Sequence, residues 1–550
     1  MTIEAIARFI GIPCCARARR SCQIAGRGAG HARSPLALHA AGLAALLALL
    51  GGCATLPAPL AKTESHAQAP AGDGGLAAIA KASTPPGDGL SGFRLLPLGP
   101  FALDARLQLI DRAAHTLEVQ YYVFDNDPTG RRMMSRLLAA AQRGVRVRLL
   151  VDDLYTVHTD PLLRLLADQK NLEVRLFNPF CCARESSSGR FTVALFDLYR
   201  LNHRMHNKLL VADGLVAIAG GRNVADEYFM LNMSGNFVDM DALVMGTVVP
   251  QLQAIFDRYW NSDVVWPIQA LVPGERALPV DDFARLVAAG PPPPPLAAND
   301  ALGYGPVSDE FDSGRIGLIW APARAFADPP NKLEKMSPEE ASEMSVSKEV
   351  RMQIWSAKHD LVITSPYMIP GPMGITAFEA LGERKVKTVV VTNSLAATDE
   401  PLVHTGYARY RPRLLASGVD LYEISPERTR RTKRLGMFGS SFGRLHAKTA
   451  IVDLHTVFIG SMNLDPRSDT QNTELGIFVE SPALAKELLR IVNISKLQSA
   501  YRVRIGHGGQ LEWLTMDNDH EMVLTEEPEA TFWMRVQNML VAPFVPEQLL

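Results

Sequence analysis

The stretch MHNKLLVADG, residues 205–214, decides the fold, because its pattern recurs as LHAKTAIVDL, residues 445–454. Each copy has a histidine, a lysine two positions later, an aspartate five positions after that, and an asparagine further along at equal spacing. These residues are His206, Lys208, Asp213 and Asn223 in the first copy, and His446, Lys448, Asp453 and Asn463 in the second. Two equal sets indicate one active site built from two similar halves.

The residues around each motif have the pattern of a β-strand. We predict a strand over 205–212, in which side chains two positions apart share a face. Each histidine should then point the same way as its lysine. Asp213 and Asp453 stand where the strands turn, so we expect them to fix the turn by hydrogen bonds rather than to contact substrate. The alternative is a pair of ordinary strands with solvated histidines, and the repeat argues against it.

Other strand patterns also recur about 240 residues apart. They pair 117–124 with 361–367, 144–151 with 385–392, and 172–179 with 419–426. Helical spacing of apolar residues lies between them, as in 131–143. This alternation predicts an α/β fold of two homologous lobes, each a mostly parallel sheet flanked by helices, with one active site shared between them.

The composition changes along the chain predict six segments. We expect a lipoprotein-type signal peptide over 1–52, a flexible tether over 53–92, lobe 1 over 93–285, a linker region with a proline run over 286–345, lobe 2 over 346–500, and a C-terminal extension with a candidate membrane-contacting helix over 501–550.

The N-terminal segment has the features of a secretion signal. Arginines precede a 15-residue apolar run, 36–50, which is short for a membrane-spanning helix. The run ends in Leu50-Gly51-Gly52-Cys53, which is similar to a bacterial lipobox. We expect acylation at Cys53 to attach the protein to a membrane on the periplasmic side. Ala54, in the second position of the mature protein, favours the outer membrane, because an acidic residue there tends to hold such lipoproteins in the inner membrane. A plain signal anchor is the alternative.

Length and charge limit the function classes. The chain has 550 residues, 47% of them hydrophobic, which is enough for two domains with large cores. Beyond residue 52, 50 basic side chains face 57 acidic ones. A general nucleic-acid binder would be more basic, so we expect no nucleic-acid partner. No cysteine and histidine spacing predicts a zinc site.

The paired motifs resemble the phospholipase D superfamily. Further stretches, at 220–223, 392–397 and 463–468, resemble bacterial cardiolipin synthases, and the likeness covers about residues 95–550. It implies a phosphohistidine intermediate with His206 as nucleophile and His446 as general acid and base, although the near-symmetry leaves the reverse order open. It also implies that Lys208 and Lys448 neutralise the phosphoryl oxygens while Asn223 and Asn463 donate hydrogen bonds to them. No metal and no cofactor is then required.

Each catalytic imidazole needs a carboxylate that binds its second ring nitrogen and so orients the ring. We assign Glu474 to His446, and Asp241, or else Asp239, to His206. Buried acidic residues within strands are costly unless they are paired. The alternative is that they are surface carboxylates on edge strands.

These expectations combine into one functional hypothesis. We predict a membrane-attached phosphatidyltransferase of the cardiolipin synthase type, acting on phosphatidylglycerol and phosphatidylethanolamine. The rivals are a phospholipase D hydrolase that releases phosphatidic acid, a phosphodiesterase or nuclease of the same superfamily, and a non-enzymatic scaffold. The sequence identifies no partner protein.

Overall fold

The computed structural model describes Leu56, residues 62–541 and residues 545–546, with gaps at 88, 273–278, 289–291, 333–344, 432–440 and 518–519. The predicted signal peptide and Cys53 lie outside the described residues. Among the described residues, no helix has the length and apolar character needed to cross a bilayer.

The first lobe is built on a nine-stranded sheet with the order β10-β4-β3-β2-β6-β7-β9-β1-β11. The strands of this half of the chain, including two short ones outside that sheet, are β1 (Ser91–Leu96), β2 (Thr116–Tyr121), β3 (Arg146–Asp152), β4 (Leu172–Phe177), β5 (Arg204–Met205), β6 (Leu209–Ala212), β7 (Val216–Gly220), β8 (Gly235–Val238), β9 (Asp241–Gly246), β10 (Val265–Pro267) and β11 (Ile319–Ala321).

Helices cover both faces of that sheet. They are α1 (Gly75–Ser83), α2 (Gly99–Arg112), α3 (Pro128–Gln142), α4 (Asp160–Leu166), α5 (Ser187–Phe196), α6 (Leu198–Leu201), α7 (Val249–Trp260), α8 (Val280–Leu286) and α9 (Val307–Asp312). Helix α3 shows why they start where they do. Asp127 accepts a hydrogen bond from the Gly130 N–H at 2.8 Å, and Pro128 occupies the first turn, where its missing N–H costs nothing.

The second lobe has a ten-stranded sheet with the order β12-β20-β18-β17-β13-β14-β15-β21-β22-β23. The strands of this half are β12 (Ala323–Ala327), β13 (Asp360–Thr364), β14 (Lys387–Asn393), β15 (Asp420–Ile424), β16 (Phe442–Leu445), β17 (Thr449–Val452), β18 (Thr456–Gly460), β19 (Asn472–Thr473), β20 (Leu475–Glu480), β21 (Ala500–Ile505), β22 (Leu511–Asp517) and β23 (His520–Leu524). The helices are α10 (Val346–Trp355), α11 (Gly371–Glu383), α12 (Pro401–Ala416), α13 (Pro426–Arg431), α14 (Pro466–Thr470), α15 (Pro482–Gln498) and α16 (Phe532–Val541).

The two lobes repeat one plan, which confirms the α/β class and the predicted duplication. Strands β2, β3 and β4 run parallel in lobe 1, as do β13, β14 and β15 in lobe 2. The parallel part is narrower than expected. Among the described strands of each large sheet, only those three are parallel neighbours, whereas β6, β7 and β9, like β17, β18 and β20, pair antiparallel with their neighbours.

The predicted strand over 205–212 is wrong in one respect. The chain is extended at both ends of this stretch, but it breaks at 206–208, between β5 and β6. Strand β5 leaves its own sheet and pairs with β19 of the other lobe, while β6 returns to the centre of sheet 1. The second copy behaves alike, because β16 pairs with β8 of lobe 1 and β17 returns to sheet 2. Both histidines therefore stand where the lobes are joined.

The segments predicted to flank the lobes are partly folded onto them, which corrects the expectation of a flexible tether. The N–H of Ala67 donates to Asp257 of α7 at 2.8 Å and that of Ser65 to Asn261, directly after α7, at 3.1 Å, so these side chains satisfy this backbone. The region predicted as a linker supplies edge strands to both sheets, β11 and β12. The C-terminal extension adds β21, β22 and β23 to sheet 2, and α16 follows them with all of its described side chains at least partly exposed.

The apolar core continues from one lobe into the other. One buried cluster includes Leu209 and Val244 from sheet 1 together with Ile451 and Ile477 from sheet 2. The two sheets therefore pack face to face, with β18 of sheet 2 against β7 and β9 of sheet 1. Burial of apolar surface between the lobes holds the two motifs in one place.

Candidate active site

A cavity of about 430 Å³ lies between the lobes and is bordered by both histidines and both motif asparagines. Tyrosines and carboxylates form much of the rest of its wall. They are Tyr122, Tyr155, Tyr228 and Tyr367, and Asp125, Glu227, Asp399, Glu400 and Asp465. The structure thus brings together His206, Asn223, His446 and Asn463, which are far apart in the chain.

The first histidine is held by the opposite lobe. His206 is 7% exposed, and its Nδ1 atom lies 2.9 Å from Oε2 of Glu474. Its backbone N–H donates to the Thr473 carbonyl at 2.9 Å, which continues the β5–β19 pairing. The Tyr122 ring meets the imidazole edge to face at 5.0 Å. With Nδ1 held, Nε2 is the ring nitrogen left for a substrate.

The second histidine has the mirror arrangement. His446 is 6% exposed, and its Nδ1 lies 2.6 Å from Oδ2 of Asp239. Its backbone N–H donates to the Val238 carbonyl at 2.8 Å. The rings of Tyr228 and Phe237 pack against it at 5.2 and 4.9 Å. Each lobe therefore supplies the carboxylate that orients the other lobe's histidine.

The predicted carboxylate assignment is wrong in its pairing. Glu474 holds His206 rather than His446, and Asp239, the second choice for His206, holds His446. Asp241 holds neither, because it lies 3.0 Å from both Arg106 and Arg222 in a buried ion cluster. The reason is the crossing of the chain. Each histidine sits on a segment that pairs with the other lobe, so the carboxylate within reach belongs to that lobe.

The lysines are buried beside the histidines and are not among the residues that border the cavity. Each is 1% exposed. The Nζ of Lys208 donates to the His206 carbonyl at 2.6 Å, and the Nζ of Lys448 donates to the His446 carbonyl. Burial lowers the pKa of both ammonium groups, that of Lys448 to about 8. Their positive charge still acts on the imidazoles over a short, water-poor distance.

Burial and these lysines also govern the histidines. Burial is the largest cause that lowers both imidazole pKa values, followed by Lys208 for His206 and by Lys448 for His446. The pKa of His206 falls well below 6.5. That of His446 falls only to about 4, because the Asp239 carboxylate opposes the shift. Both rings are therefore neutral near pH 7.

The carboxyl groups of Glu474 and Asp239 differ in pKa. Burial raises the pKa of Glu474 to about 7, although Lys208, Ser461 and Ser468 oppose it. Burial would also raise the pKa of Asp239, but His446 and Lys448 outweigh it, and the pKa lies below its usual range. Asp239 is thus firmly ionised at neutral pH. The protein stabilises positive charge better on His446 than on His206.

Asp213 and Asp453 fix the turns, as predicted. The carboxylate of Asp213 accepts the N–H groups of Ala114, His115 and Thr116 at 2.7–2.9 Å. Asp453 does the same for residues 358–360 in lobe 2. Both residues have positive φ, 53° and 51°, and neither borders the cavity.

The motif asparagines keep polar atoms at the cavity. Asn223 donates from Nδ2 to the Tyr228 hydroxyl at 2.8 Å and accepts the Val123 N–H at 3.2 Å. The Oδ1 atom of Asn463 is buried and has no hydrogen-bond partner among the described residues. Steric crowding also requires glycine at position 221 of the first motif, because a Cβ on Gly221 would lie 2.1 Å from Oδ1 of Asp239.

Sequence reasoning missed much of the cavity wall. Asp465, Arg467 and Ser468 fall in the motif stretch 463–468, but nothing there assigned them a role. Ser468 donates to Glu474 at 2.9 Å, and Arg467 borders the cavity. Tyr122 and Asp399 follow β2 and β14. The ends of central parallel strands are where α/β proteins place their ligands, which is the signal that could have found them.

Comparison with known proteins agrees with this geometry. The family model described as "Cardiolipin synthase, PLD-like domain" matches residues 107–260 and 350–494, one segment in each lobe. Cardiolipin synthase C of Escherichia coli K12 is 38% identical over 460 residues, which cover 82% of this chain and 94% of that protein. A cardiolipin synthase of Staphylococcus aureus Mu50 is 25% identical over 71% of this chain and 64% of its own length.

A solved structure shares the fold. The crystal structure of phosphatidylserine synthase from Haemophilus influenzae Rd KW20 aligns with 83% of this chain and 95% of its own, with a TM-score of 0.50 and 13% identity. The family match covers both lobes and includes both His-Lys motifs. The chain therefore belongs to the cardiolipin synthase family of phospholipase D-like proteins.

Proposed function

We propose that the protein is a phosphatidyltransferase of the cardiolipin synthase type, which moves a phosphatidyl group from one phospholipid to a hydroxyl of another. The observation that carries this proposal is the pair of carboxylate-held histidines that face one cavity, His206 with Glu474 and His446 with Asp239. Two imidazoles allow one to attack phosphorus while the other handles the proton of the alcohol. The similarity to Escherichia coli cardiolipin synthase C supports the substrate class.

The unequal carboxylates support His206 as the nucleophile. Nε2 of His206 would attack the phosphodiester and displace the first alcohol, which takes a proton from His446. The phosphate brings negative charge that raises the pKa of the imidazoles, and ionised Asp239 makes His446 the better proton carrier. Neutral His446 would then take the proton of the incoming hydroxyl, whose oxygen breaks the P–N bond and restores His206.

The wall of the cavity supports phosphatidylethanolamine and phosphatidylglycerol as substrates. Four carboxylates that border it, Asp125, Glu227, Asp399 and Glu400, suit an ammonium group or the hydroxyls of glycerol. Oδ2 of Asp399 accepts the Tyr367 hydroxyl at 2.8 Å, while Oδ1 has no hydrogen-bond partner among the described residues. We propose Asp399 as a headgroup contact. Asp399→Asn should lower turnover of an ethanolamine donor about tenfold, the loss of one charge-assisted hydrogen bond.

We also propose that acylation at Cys53 attaches the enzyme to a membrane on the periplasmic side, the outer membrane being favoured. The Leu50-Gly51-Gly52-Cys53 stretch supports this. Radiolabelled palmitate should enter the protein in cells and fail to enter a Cys53→Ser variant. Fractionation of the membranes would then give the compartment.

The first experiment is a product assay with full-length protein in vesicles of phosphatidylethanolamine and phosphatidylglycerol. Cardiolipin should form, and it should disappear in His206→Ala but not in His455→Ala, a control on an exposed histidine of lobe 2. Phosphatidic acid without cardiolipin would instead show the hydrolase. Neither product from folded protein would exclude these phospholipids as substrates.

The order of the histidines needs its own test. Rapid quenching with a phosphorus-labelled donor should place the label on His206. His446→Ala should slow both the formation and the breakdown of the intermediate, because it lacks the acid for the first step and the base for the second. Label on His446 would reverse the assignment.

A further inference from the structure

We propose that four exposed apolar side chains beside the cavity form a docking surface for a lipid bilayer, and that this surface sets the cavity against the membrane. They are Leu195, Phe196, Leu198 and Tyr199, on α5 and α6, and are called the 195–199 patch below. Their exposed fractions are 59%, 45%, 51% and 69%. The inference rests on the proposed function in one respect, that the substrates are phospholipids.

The four side chains of the patch are not part of the core beneath them. Ala194 and Leu201, on the inner side of the same helices, form a small buried cluster with Phe180. Asp197, the polar residue within the patch, is paired with Arg200 at 2.7 Å, so its charge is compensated. Large apolar side chains gathered on a surface in this way mark binding sites.

Side chains below the patch hold it rigidly against the cavity wall. The guanidinium of Arg190, in α5, donates to the Asp153 carbonyl at 2.6 Å and to Thr156 at 3.1 Å. These residues flank Tyr155, which borders the cavity. The patch and Tyr155 are thus parts of one packed unit.

The opposite end of the helix pair contacts the cavity wall from the other lobe. Arg467, which borders the cavity, donates to the side-chain oxygen of Asn202 at 2.8 Å and to its carbonyl at 2.9 Å. Tyr199 packs edge to face on His203 at 4.9 Å. The patch therefore lies beside the cavity on a frame joined to both lobes.

The size of the cavity points to a bilayer as the occupant of the patch. A volume of about 430 Å³ accommodates a headgroup and its phosphodiester but leaves no room for two acyl chains as well. Each methylene drawn from a membrane into water costs about 0.8 kcal/mol. The acyl chains must stay in the bilayer during the reaction, so the mouth of the cavity has to touch it.

A second exposed apolar group lies on lobe 2. Helix α16 exposes Phe532, Trp533, Met539 and Leu540, and it packs beside α12. Helix α12 starts directly after Glu400 and carries Val403, both of which border the cavity. Exposed aromatic and aliphatic side chains on a helix are typical of a surface that rests on a membrane interface, and α16 packs on a helix whose first turn borders the cavity.

Hydrogen–deuterium exchange of the full-length chain tests the contact. Vesicles of phosphatidylethanolamine and phosphatidylglycerol should slow exchange in 191–201 but not in 495–499, at the end of α15, where Leu497 and Gln498 are exposed. No protection of 191–201 would overturn the proposal. Protection that appears without vesicles and grows with protein concentration would assign the patch to a second copy of the chain, and would equally overturn it.

Turnover gives an independent readout. Leu195→Ser combined with Phe196→Ser and Leu198→Ser should lower turnover of vesicle lipids at least tenfold, while turnover of a monomeric short-chain phosphatidylglycerol stays within about twofold. The matched control replaces Leu286, Met352 and Leu497 by serine, three exposed apolar residues that do not border the cavity. Equal losses on both substrates would show a structural role instead. If the wild type turns over neither lipid, the proposed function fails while the exchange result still stands.

Discussion

Glu474 of lobe 2 holds the Nδ1 atom of His206 of lobe 1 at 2.9 Å, across 268 residues of chain. Asp239 of lobe 1 holds His446 of lobe 2 in return. Neither half contains a complete histidine–carboxylate pair of its own. The site therefore exists only when the lobes are docked, and its catalytic geometry depends on the apolar contact between the sheets.

The first prediction concerns these pairs. Glu474→Gln should lower kcat by roughly 10²- to 10⁴-fold, because an amide favours the wrong tautomer of the histidine it orients. Asp239→Asn should act likewise through His446. Steady-state kinetics on the phospholipid substrate measures both. Glu480→Gln, at the exposed end of β20, the strand that directly follows Glu474, is the matched control and should change little. Wild-type turnover by folded Glu474→Gln would contradict the orienting role.

The second prediction separates Asp241 from Asp239. Asp241→Ala should destabilise the fold by about 3–5 kcal/mol, because it leaves the buried guanidinium groups of Arg106 and Arg222 without their carboxylate. The kcat of the molecules that remain folded should fall far less than in Asp239→Asn. Urea unfolding and active-site titration give the two quantities. A stable but inactive Asp241→Ala would restore Asp241 as an orienting residue.

The third prediction concerns the turn aspartates. Asp213→Ala should cost about 2–4 kcal/mol in free energy of unfolding, because three N–H groups lose their acceptor. Asp213→Asn should cost less, since asparagine tolerates positive φ and still accepts a hydrogen bond. Thermal unfolding measures the cost, and kcat at a temperature where each variant is folded should match the wild type. A loss of kcat without a loss of stability would mean that Asp213 acts in the reaction.

The fourth prediction concerns pH and Asp465. Burial raises the pKa of this carboxyl to about 7, against an ordinary value of 3.8. Between those values the folded state keeps a proton that the unfolded state has released, so this group lowers stability as pH rises through that window. Asp465→Asn removes the effect while its side-chain oxygen can still cap α14. Urea midpoints should favour the variant at pH 8 and converge with the wild type at pH 4.

Asp453 provides the contrast for that measurement. Three backbone N–H groups outweigh its burial and lower its pKa. The unfolded state then binds the proton more readily, so this residue stabilises the fold at neutral pH and the contribution is lost as pH falls below the ordinary value. Asp453→Asn should lose stability relative to the wild type at pH 7 and converge with it in acid. The same direction of change for both aspartates would contradict these shifts.

Much of the site could be predicted from the sequence. The repeated His-x-Lys pattern identified His206, His446 and their lysines, because residues that act on one phosphate need matching chemistry from each half. The turn role of Asp213 and Asp453 followed from their place after a buried strand. Glu474 and Asp239 are both among the predicted orienting carboxylates, but the structure exchanges the histidines that they hold.

The reason for that exchange is physical. Hydrophobic and polar patterns report which face of an element is buried, and they carry no information about which lobe a short extended segment pairs with. The β5–β19 and β8–β16 pairs are only two and four residues long and join the lobes. The crossing places Glu474 at His206. The predicted strand over 205–212 broke at the histidine for the same reason.

The sequence by itself determined the duplicated α/β lobes, the two His-Lys-Asp sets and the residue types of the site, because these follow from local periodicity and from repeated spacing. Only the tertiary structure decided which carboxylate serves which histidine, that the lysines are buried, and that the 195–199 patch lies beside the cavity. Those features depend on distances between segments hundreds of residues apart, which are set when apolar surfaces of the two lobes close on each other.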